Sequence, residues 1–279
     1  MKILEALKWG ELELIKAEIE NPRWDSDLLL GHVLGRRREE LYLDRDGVLS
    51  ATAWKAYQDL VARRTDREPL QYILNNQEFM GLGFYVDNRV LIPRADSEII
   101  IEKLLELKER SPRPEVKIAD LCTGSGALAV AIAHYRPDAY VVGTDLSSAA
   151  LEVARYNALL NHVQVDWRQG DFFEPICGEE WDWLVTNPPY IPEEEYRKLA
   201  PEIFEEPQMA LVGAENGLIF YRRLAEEAAS LLKRDGKILM EIGWNQGQQV
   251  EELFKKSFKT RIFKDYGGRD RVVYAELSS

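Results

Sequence analysis

Residues 116–145 read VKIADLCTGSGALAVAIAHYRPDAYVVGTD. The largely apolar run Val116–Asp120 predicts a buried strand, and it stops at Cys122-Thr123-Gly124-Ser125-Gly126. Two glycines there permit backbone conformations that other residues resist. Ala127–Tyr135 then predicts a helix, and Tyr140–Asp145 a second strand. Strand, glycine turn, helix and strand make a parallel βαβ unit. The turn sets the free N–H groups of a helix N-terminus beside a strand end, where they can approach an anionic or polar ligand. Asp145 ends the second strand, the place from which a carboxylate reaches ribose hydroxyls. A dinucleotide loop would want three glycines as G-x-G-x-x-G, and this turn has only Gly124 and Gly126. The unit fits a nucleoside cofactor in general.

The alternation continues downstream. Ser147 can cap a helix through Leu160, since serine is a preferred N-cap. Val163–Trp167 and Trp181–Thr186 predict the next strands, with Asp171-Phe172 between them. An Asp followed by an aromatic ring suits an adenine, through a hydrogen bond to its amino group and stacking. A helix over Leu218–Leu232, ended by Asp235-Gly236, precedes a strand at Lys237–Ile242. A helix at Gln248–Phe254 and strands at Thr260–Lys264 and Val272–Leu277 close the chain. Strands alternating with helices predict a doubly wound α/β sheet.

Upstream, the first 66 or so residues carry helical periodicity (Leu4, Leu7, Leu12, Ile15, Ile19; Leu28, Leu29, His32, Val33; Trp54, Tyr57, Leu60, Val61) with breaks at Asn21-Pro22, Gly35 and Asp46-Gly47. This predicts a small helical bundle without a chemical motif, a packing or recognition module. Phe79–Val86 and Arg89–Ile92 predict a hairpin turning at Asp87-Asn88. A helix after Pro93 is predicted to stop at Ser111-Pro112-Arg113-Pro114.

The stretch with the most chemistry is Asn187-Pro188-Pro189-Tyr190, directly after the buried run Trp181–Val185. Two prolines lack N–H groups and fix φ, so they end the strand abruptly. An amide and an aromatic ring are thus held at the carboxyl end of a strand, where open α/β sheets bind ligands. The Asn carbonyl and a proline carbonyl can each accept an N–H, while the Tyr ring packs on a planar group. That suits a planar amide or exocyclic amine as acceptor. A nicotinamide cofactor gives this motif no task; S-adenosylmethionine does, by placing the atom to be methylated.

Composition excludes several classes. The chain has 279 residues, 30% of them charged, and a formal net charge of −12, which argues against a mainly phosphate-driven contact with nucleic acid. Two cysteines (Cys122, Cys177) and three scattered histidines rule out a disulfide scaffold and offer no metal-ligand spacing. No run approaches the ~18 apolar residues of a membrane span, and Met1–Glu5 is unlike a signal peptide. A reduced, cytoplasmic protein is expected.

With these motifs in order, the sequence resembles the HemK/PrmC family of class I methyltransferases. Further runs carry the resemblance: Arg67–Ile73, Leu91–Glu98, Glu206-Pro207, Ala210-Leu211 through Leu218, and Asp265 through Val273. The resemblance implies a helical N-terminal domain (1–72), a β-hairpin linker (73–92) and a Rossmann-like catalytic domain (93–279) with a seven-stranded, mostly parallel sheet. It implies methyl transfer from S-adenosylmethionine to the side-chain nitrogen of a glutamine in peptide chain release factors, by a monomer without nucleic acid, membrane or metal. Cys122, Thr123, Gly124, Ser125 and Gly126 would hold the methionine part of the cofactor, Asp145 the ribose and Phe172 the adenine. Asn187 would lie between cofactor and substrate, and Asn187, Pro188, Pro189 and Tyr190 would grip the glutamine amide. Cys122 stands where the family more often has glycine, and Ala95 and Ser97 replace the commoner proline and threonine. A sister glutamine methyltransferase acting on a ribosomal protein is the nearest alternative. An adenine-N6 DNA methyltransferase can carry a similar Asn-Pro-Pro-Tyr, but the negative charge disfavours it. A non-catalytic nucleoside-binding regulator would leave Asn187–Tyr190 without a purpose.

Overall fold

The computed structural model describes residues 1–107 and 116–278, so the predicted helix stop at Ser111–Pro114 lies outside it. The chain divides into two units, Met1–Asn75 with Ala200–Glu205, and Asn76–Leu199 with Glu206–Ser279.

The first unit contains α1 (Ile3–Lys16), α2 (Pro22–Leu34), α3 (Arg38–Leu43), α4 (Ala51–Thr65) and α5 (Leu70–Leu74). Its core gathers Leu14, Leu29, Leu30, Leu41 and Tyr57. Two buried carboxylates are paired, as buried charges must be. Arg64 Nε donates to Asp25 at 2.8 Å, and Asp27 accepts from Arg38 at 2.6 Å and from the Tyr42 hydroxyl at 2.8 Å. Glu202 accepts from Arg64 and Arg67, each at 3.2 Å, which ties Ala200–Glu205 to this unit. The sequence had assigned that segment to the catalytic domain; an ion pair across such a sequence separation leaves no local pattern.

The second unit opens with a hairpin, β1 (Gln77–Phe79) paired antiparallel to β2 (Leu82–Phe84). Met80 (φ 52°) and Gly81 (φ 70°) form its two-residue turn, with the two positive φ values that a type I′ turn requires. The predicted hairpin across Asp87-Asn88 is therefore corrected. The Asp87 carboxylate accepts the Arg89 N–H at 3.0 Å and its carbonyl accepts the Val90 N–H at 3.1 Å. That side-chain-closed turn occupies the backbone groups a strand at Arg89–Ile92 would need.

α6 (Glu98–Glu106), β3 (Val116–Leu121), α7 (Ala127–Tyr135), β4 (Ala139–Asp145), α8 (Ser148–Leu160), β5 (Asp166–Gln169) and β6 (Trp181–Thr186) follow. Then come the short turns α9 (Glu193–Tyr196) and α10 (Ala214–Gly217), α11 (Ile219–Glu227), β7 (Leu232–Glu241), α12 (Gly247–Phe254), β8 (Phe258–Lys264) and β9 (Asp270–Leu277). The sheet order is β5-β4-β3-β6-β7-β9-β8. All pairings are parallel except those of β9, which runs antiparallel to both β7 and β8. This is the seven-stranded, mostly parallel sheet of the class I methyltransferase fold. Alternate residues feed opposite layers. Ile118, Trp183 and Val185 pack with Ile100 and Leu128 of α6 and α7, while Ala119, Leu121 and Leu184 pack with Leu224 and Phe254 of α11 and α12.

Several predicted boundaries move. Val163–Trp167 becomes a strand only from Asp166, because the Val163 N–H closes back on the Ala158 carbonyl at 3.0 Å to finish α8. The helix predicted over Leu218–Leu232 ends at Glu227 and a 3-10 turn follows at Ala228–Ser230. Leu232 is already paired with Trp181, so Asp235-Gly236 lies within β7 at a register shift.

Candidate active site

The glycine turn follows β3 at the carboxyl end of the sheet. Asp120, fully buried, organises it from below: its Oδ2 accepts from Thr123 Oγ1 at 2.5 Å and from the Ala129 N–H at 3.1 Å. Gly126 caps α7 with φ 82°, and a Cβ there would meet Ala154 and Trp167 at 3.0 Å, so both conformation and space demand glycine. Cys122 adopts φ 58°, a left-handed conformation costly for a residue with a Cβ. That strain explains why glycine suits position 122 better.

The turn is tied to β4. Asp145 Oδ2 accepts the Gly124 N–H at 2.8 Å and Oδ1 the Ser147 N–H at 2.9 Å. Burial pushes the Asp145 carboxyl up, and those N–H groups pull it back. Ser147 also caps α8, its hydroxyl accepting from the Ala150 N–H at 3.1 Å. Beyond β5, Phe172 is buried with φ 48°, its ring 5.2 Å from that of Phe220. The Arg223 guanidinium lies 5.0 Å over the Phe172 ring and pairs with Asp171 at 3.1 Å. The same guanidinium thus bridges Asp171 and the Phe172 ring.

Cys122, Thr123, Gly124, Ser125, Asp145, Phe172, Asn187 and Pro189 all line one cavity of about 320 Å³. Val90, Ser97, Leu146 and Phe220 complete much of its wall. Gly126, Pro188 and Tyr190 are not among its lining residues. Gly126 serves behind the turn, and the Tyr190 hydroxyl donates to Glu241 Oε1 at 3.0 Å. The backbone of the motif is braced by the turn at Glu215–Gly217, three successive residues with positive φ. A Cβ at Gly217 would fall 1.9 Å from the Tyr190 carbonyl oxygen, so only glycine allows that approach. Gln246 Nε2 donates to the same carbonyl at 3.0 Å.

The side-chain network beneath the motif escaped the sequence. Asn187 Nδ2 donates to Ser97 Oγ at 3.1 Å, and Ser97 Oγ donates to Glu241 Oε2 at 2.5 Å. Glu241 is fully buried and burial pushes its carboxyl up, opposed by the Ser97 and Tyr190 hydrogen bonds and the Arg271 charge. Arg271 itself pairs with Asp96 at 3.1 Å and Asp265 at 3.2 Å. One signal was available: an acid within the apolar run Ile238-Leu239-Met240-Glu241-Ile242 is out of place unless partnered.

Burial pushes Asp120 up to about 7, and its Oδ1 has no hydrogen-bond partner among the described residues. A carboxyl raised in the folded state favours folding when protonated. Its contribution is full below the unfolded value of about 3.9 and is lost as pH rises through about 7. Melting temperatures at pH 5 and pH 8 should therefore differ less in Asp120→Asn than in the parent chain. An unchanged difference would show that Asp120 is not the titrating group.

The N-terminal residues 5–74 match the PrmC N-terminal domain model, and residues 95–220 match the methyltransferase small domain model. A release factor glutamine methyltransferase of Geobacter sulfurreducens is 40% identical, the match covering 97% of this chain and 95% of the relative. Another, of Moorella thermoacetica, is 40% identical over 99% of this chain and 98% of its own length. Among solved structures, a methyltransferase from Pyrococcus furiosus superposes with a TM-score of 0.54 at 19% identity, covering 77% of this chain and 98% of that one, a likeness of fold.

Proposed function

The chain belongs to the release factor glutamine methyltransferase family, and from that premise we propose that it methylates the side-chain amide nitrogen of a glutamine in a peptide chain release factor. It is an S-adenosylmethionine-dependent protein glutamine methyltransferase. No helix among the described residues is long and apolar enough to cross a membrane, in keeping with work in the cytoplasm alongside translation.

The observation that carries the reading is the meeting of three sequence motifs in one cavity: the glycine turn, the β4 carboxylate, and Asn187 with Pro189. The donor set fits S-adenosylmethionine. The Asp145 carboxylate, already holding Gly124 and Ser147, keeps acceptor capacity for ribose hydroxyls. Phe172 and Phe220 offer an apolar wall to a base, and the turn offers backbone polar groups to an amino-acid tail. When bound, the cofactor supplies a methyl group activated by its sulfonium. The residues of this chain supply position. In this reading the Asn187 side-chain carbonyl and a proline carbonyl of the motif accept the N–H groups of the substrate amide, turning its nitrogen toward the donor, and the Tyr190 ring, at the edge of the cavity rather than in its wall, packs on the amide plane. Orienting two reactants in this way is worth roughly 7–11 kcal/mol. Loss of the amide proton after attack requires no strong base.

Incubating the full chain with labelled cofactor and, separately, release factor, ribosomal protein and DNA tests the reading. Label should enter a release-factor glutamine; label in ribosomal protein or DNA alone would overturn it.

Residues 1–72 are the substrate-recognition module in this reading, 73–92 the linker and 93–279 the methyltransferase domain. A chain beginning at Ile73 should keep cofactor affinity yet methylate intact release factor poorly. Full activity of the shortened chain on release factor would remove recognition from the first domain, and cofactor calorimetry reports whether it has folded.

A further inference from the structure

Glu241 is a fully buried carboxylate with no part in the proposed chemistry. Yet it joins two members of the motif: Oε2 accepts from Ser97, which in turn accepts from Asn187, and Oε1 accepts from Tyr190. The groups facing it come from separate elements. Ser97 and Asp96 precede α6, Tyr190 follows β6, and Arg271 lies on β9. On α11, the Tyr221 hydroxyl donates to the Glu241 main-chain carbonyl at 2.8 Å, fixing the backbone.

We infer that Ser97 and Glu241 are positioning residues that determine which end of the Asn187 side-chain amide faces the cavity. This rests on the proposed role of Asn187 toward the substrate amide. Ser97 Oγ donates its single proton to Glu241 Oε2 at 2.5 Å. The Ser97 oxygen then has lone pairs alone to offer Asn187. Only the NH2 end of the amide can meet it; with the amide turned over, two acceptors would oppose each other. The Asn187 carbonyl oxygen is thereby left for the substrate. Burial works against the ionised carboxylate, and the neighbouring Arg271 charge works for it. Arg271 is in turn held by Asp96 and Asp265. Serine in place of the family's commoner threonine preserves the hydroxyl on which the relay depends.

The test uses the full chain and two measurements. The first is single-turnover methylation of full-length release factor by Ser97→Ala, Ser97→Thr and Glu241→Gln. Ser97→Ala should lower the rate about 10- to 100-fold, with affinity for the demethylated cofactor within about twofold. Ser97→Thr should restore the rate. Glu241→Gln can donate to Ser97 and release the serine proton toward Asn187, so it should resemble Ser97→Ala. The second follows the Asn187 side-chain NH2 resonances by NMR, identified by their loss in Asn187→Asp. These should be protected from exchange in the parent chain and shifted and exposed in Ser97→Ala and Glu241→Gln. Parental rates in both variants, a loss that threonine does not rescue, or unmoved Asn187 resonances would each overturn the inference. If the parent chain leaves release factor unmodified while the resonances respond, the functional reading fails and the positioning stands.

Discussion

Asn187→Ala should depress methyl transfer by about 10²-fold or more, the loss expected from ~1 Å of misplacement between reacting atoms. The cavity explains why the effect falls on turnover. Asn187 is one of many residues around the cofactor space, whereas the Gly124 turn and Asp145 carry the polar contacts expected to hold the cofactor. With Nδ2 bonded to Ser97, its side-chain carbonyl is the acceptor that the proposed mechanism assigns to the substrate amide. Alanine removes that acceptor and leaves the strand end, fixed by Pro188 and Pro189, unchanged. Single-turnover transfer to release factor, with cofactor affinity measured in parallel, separates the two effects. Parental rates in this variant would sink the proposed mechanism.

Asp145→Ala should weaken binding of the cofactor or its demethylated product by about 10- to 100-fold, the range for losing hydrogen bonds to a charged acceptor. Two losses combine. The acceptor proposed for the ribose disappears, and so does the anchor that receives the Gly124 and Ser147 N–H groups. The turn should then be less ordered before binding. Asp145→Asn retains one acceptor and should fall between alanine and the parent. Calorimetry showing unchanged affinity in a folded Asp145→Ala would take this residue out of the site.

The legible parts of the molecule were those written in contiguous residues. Val116–Leu121, Ala127–Tyr135 and Trp181–Thr186 are buried runs of one periodicity, and their limits were nearly those observed. The hairpin was misread because its turn is Met80-Gly81, which lacks the Asn or Asp that usually marks two left-handed residues. The start of β7 was misread because tertiary pairing of Leu232 with Trp181 overrides a helical pattern. The site divided along the same line. The cavity residues Cys122, Thr123, Gly124, Ser125, Asn187 and Pro189 stand in two contiguous motifs that can be read directly. The relay from Ser97 to Glu241 cannot be, since it joins residues 144 positions apart and no local rule encodes such a meeting.

The placement of β9 bears on how the molecule is made. β8 is synthesised before β9, yet β9 lies between β7 and β8. β8 meets the sheet only through β9, with which it pairs antiparallel across the short connection 265–269. The pairing of β7 with β9 is the non-local one, and it carries the loop-closure cost that slows folding. β9 also brings Arg271 to the buried Glu241. The strand that attaches the edge of the sheet thus also sets the positive charge beside the carboxylate that joins Ser97 to Tyr190.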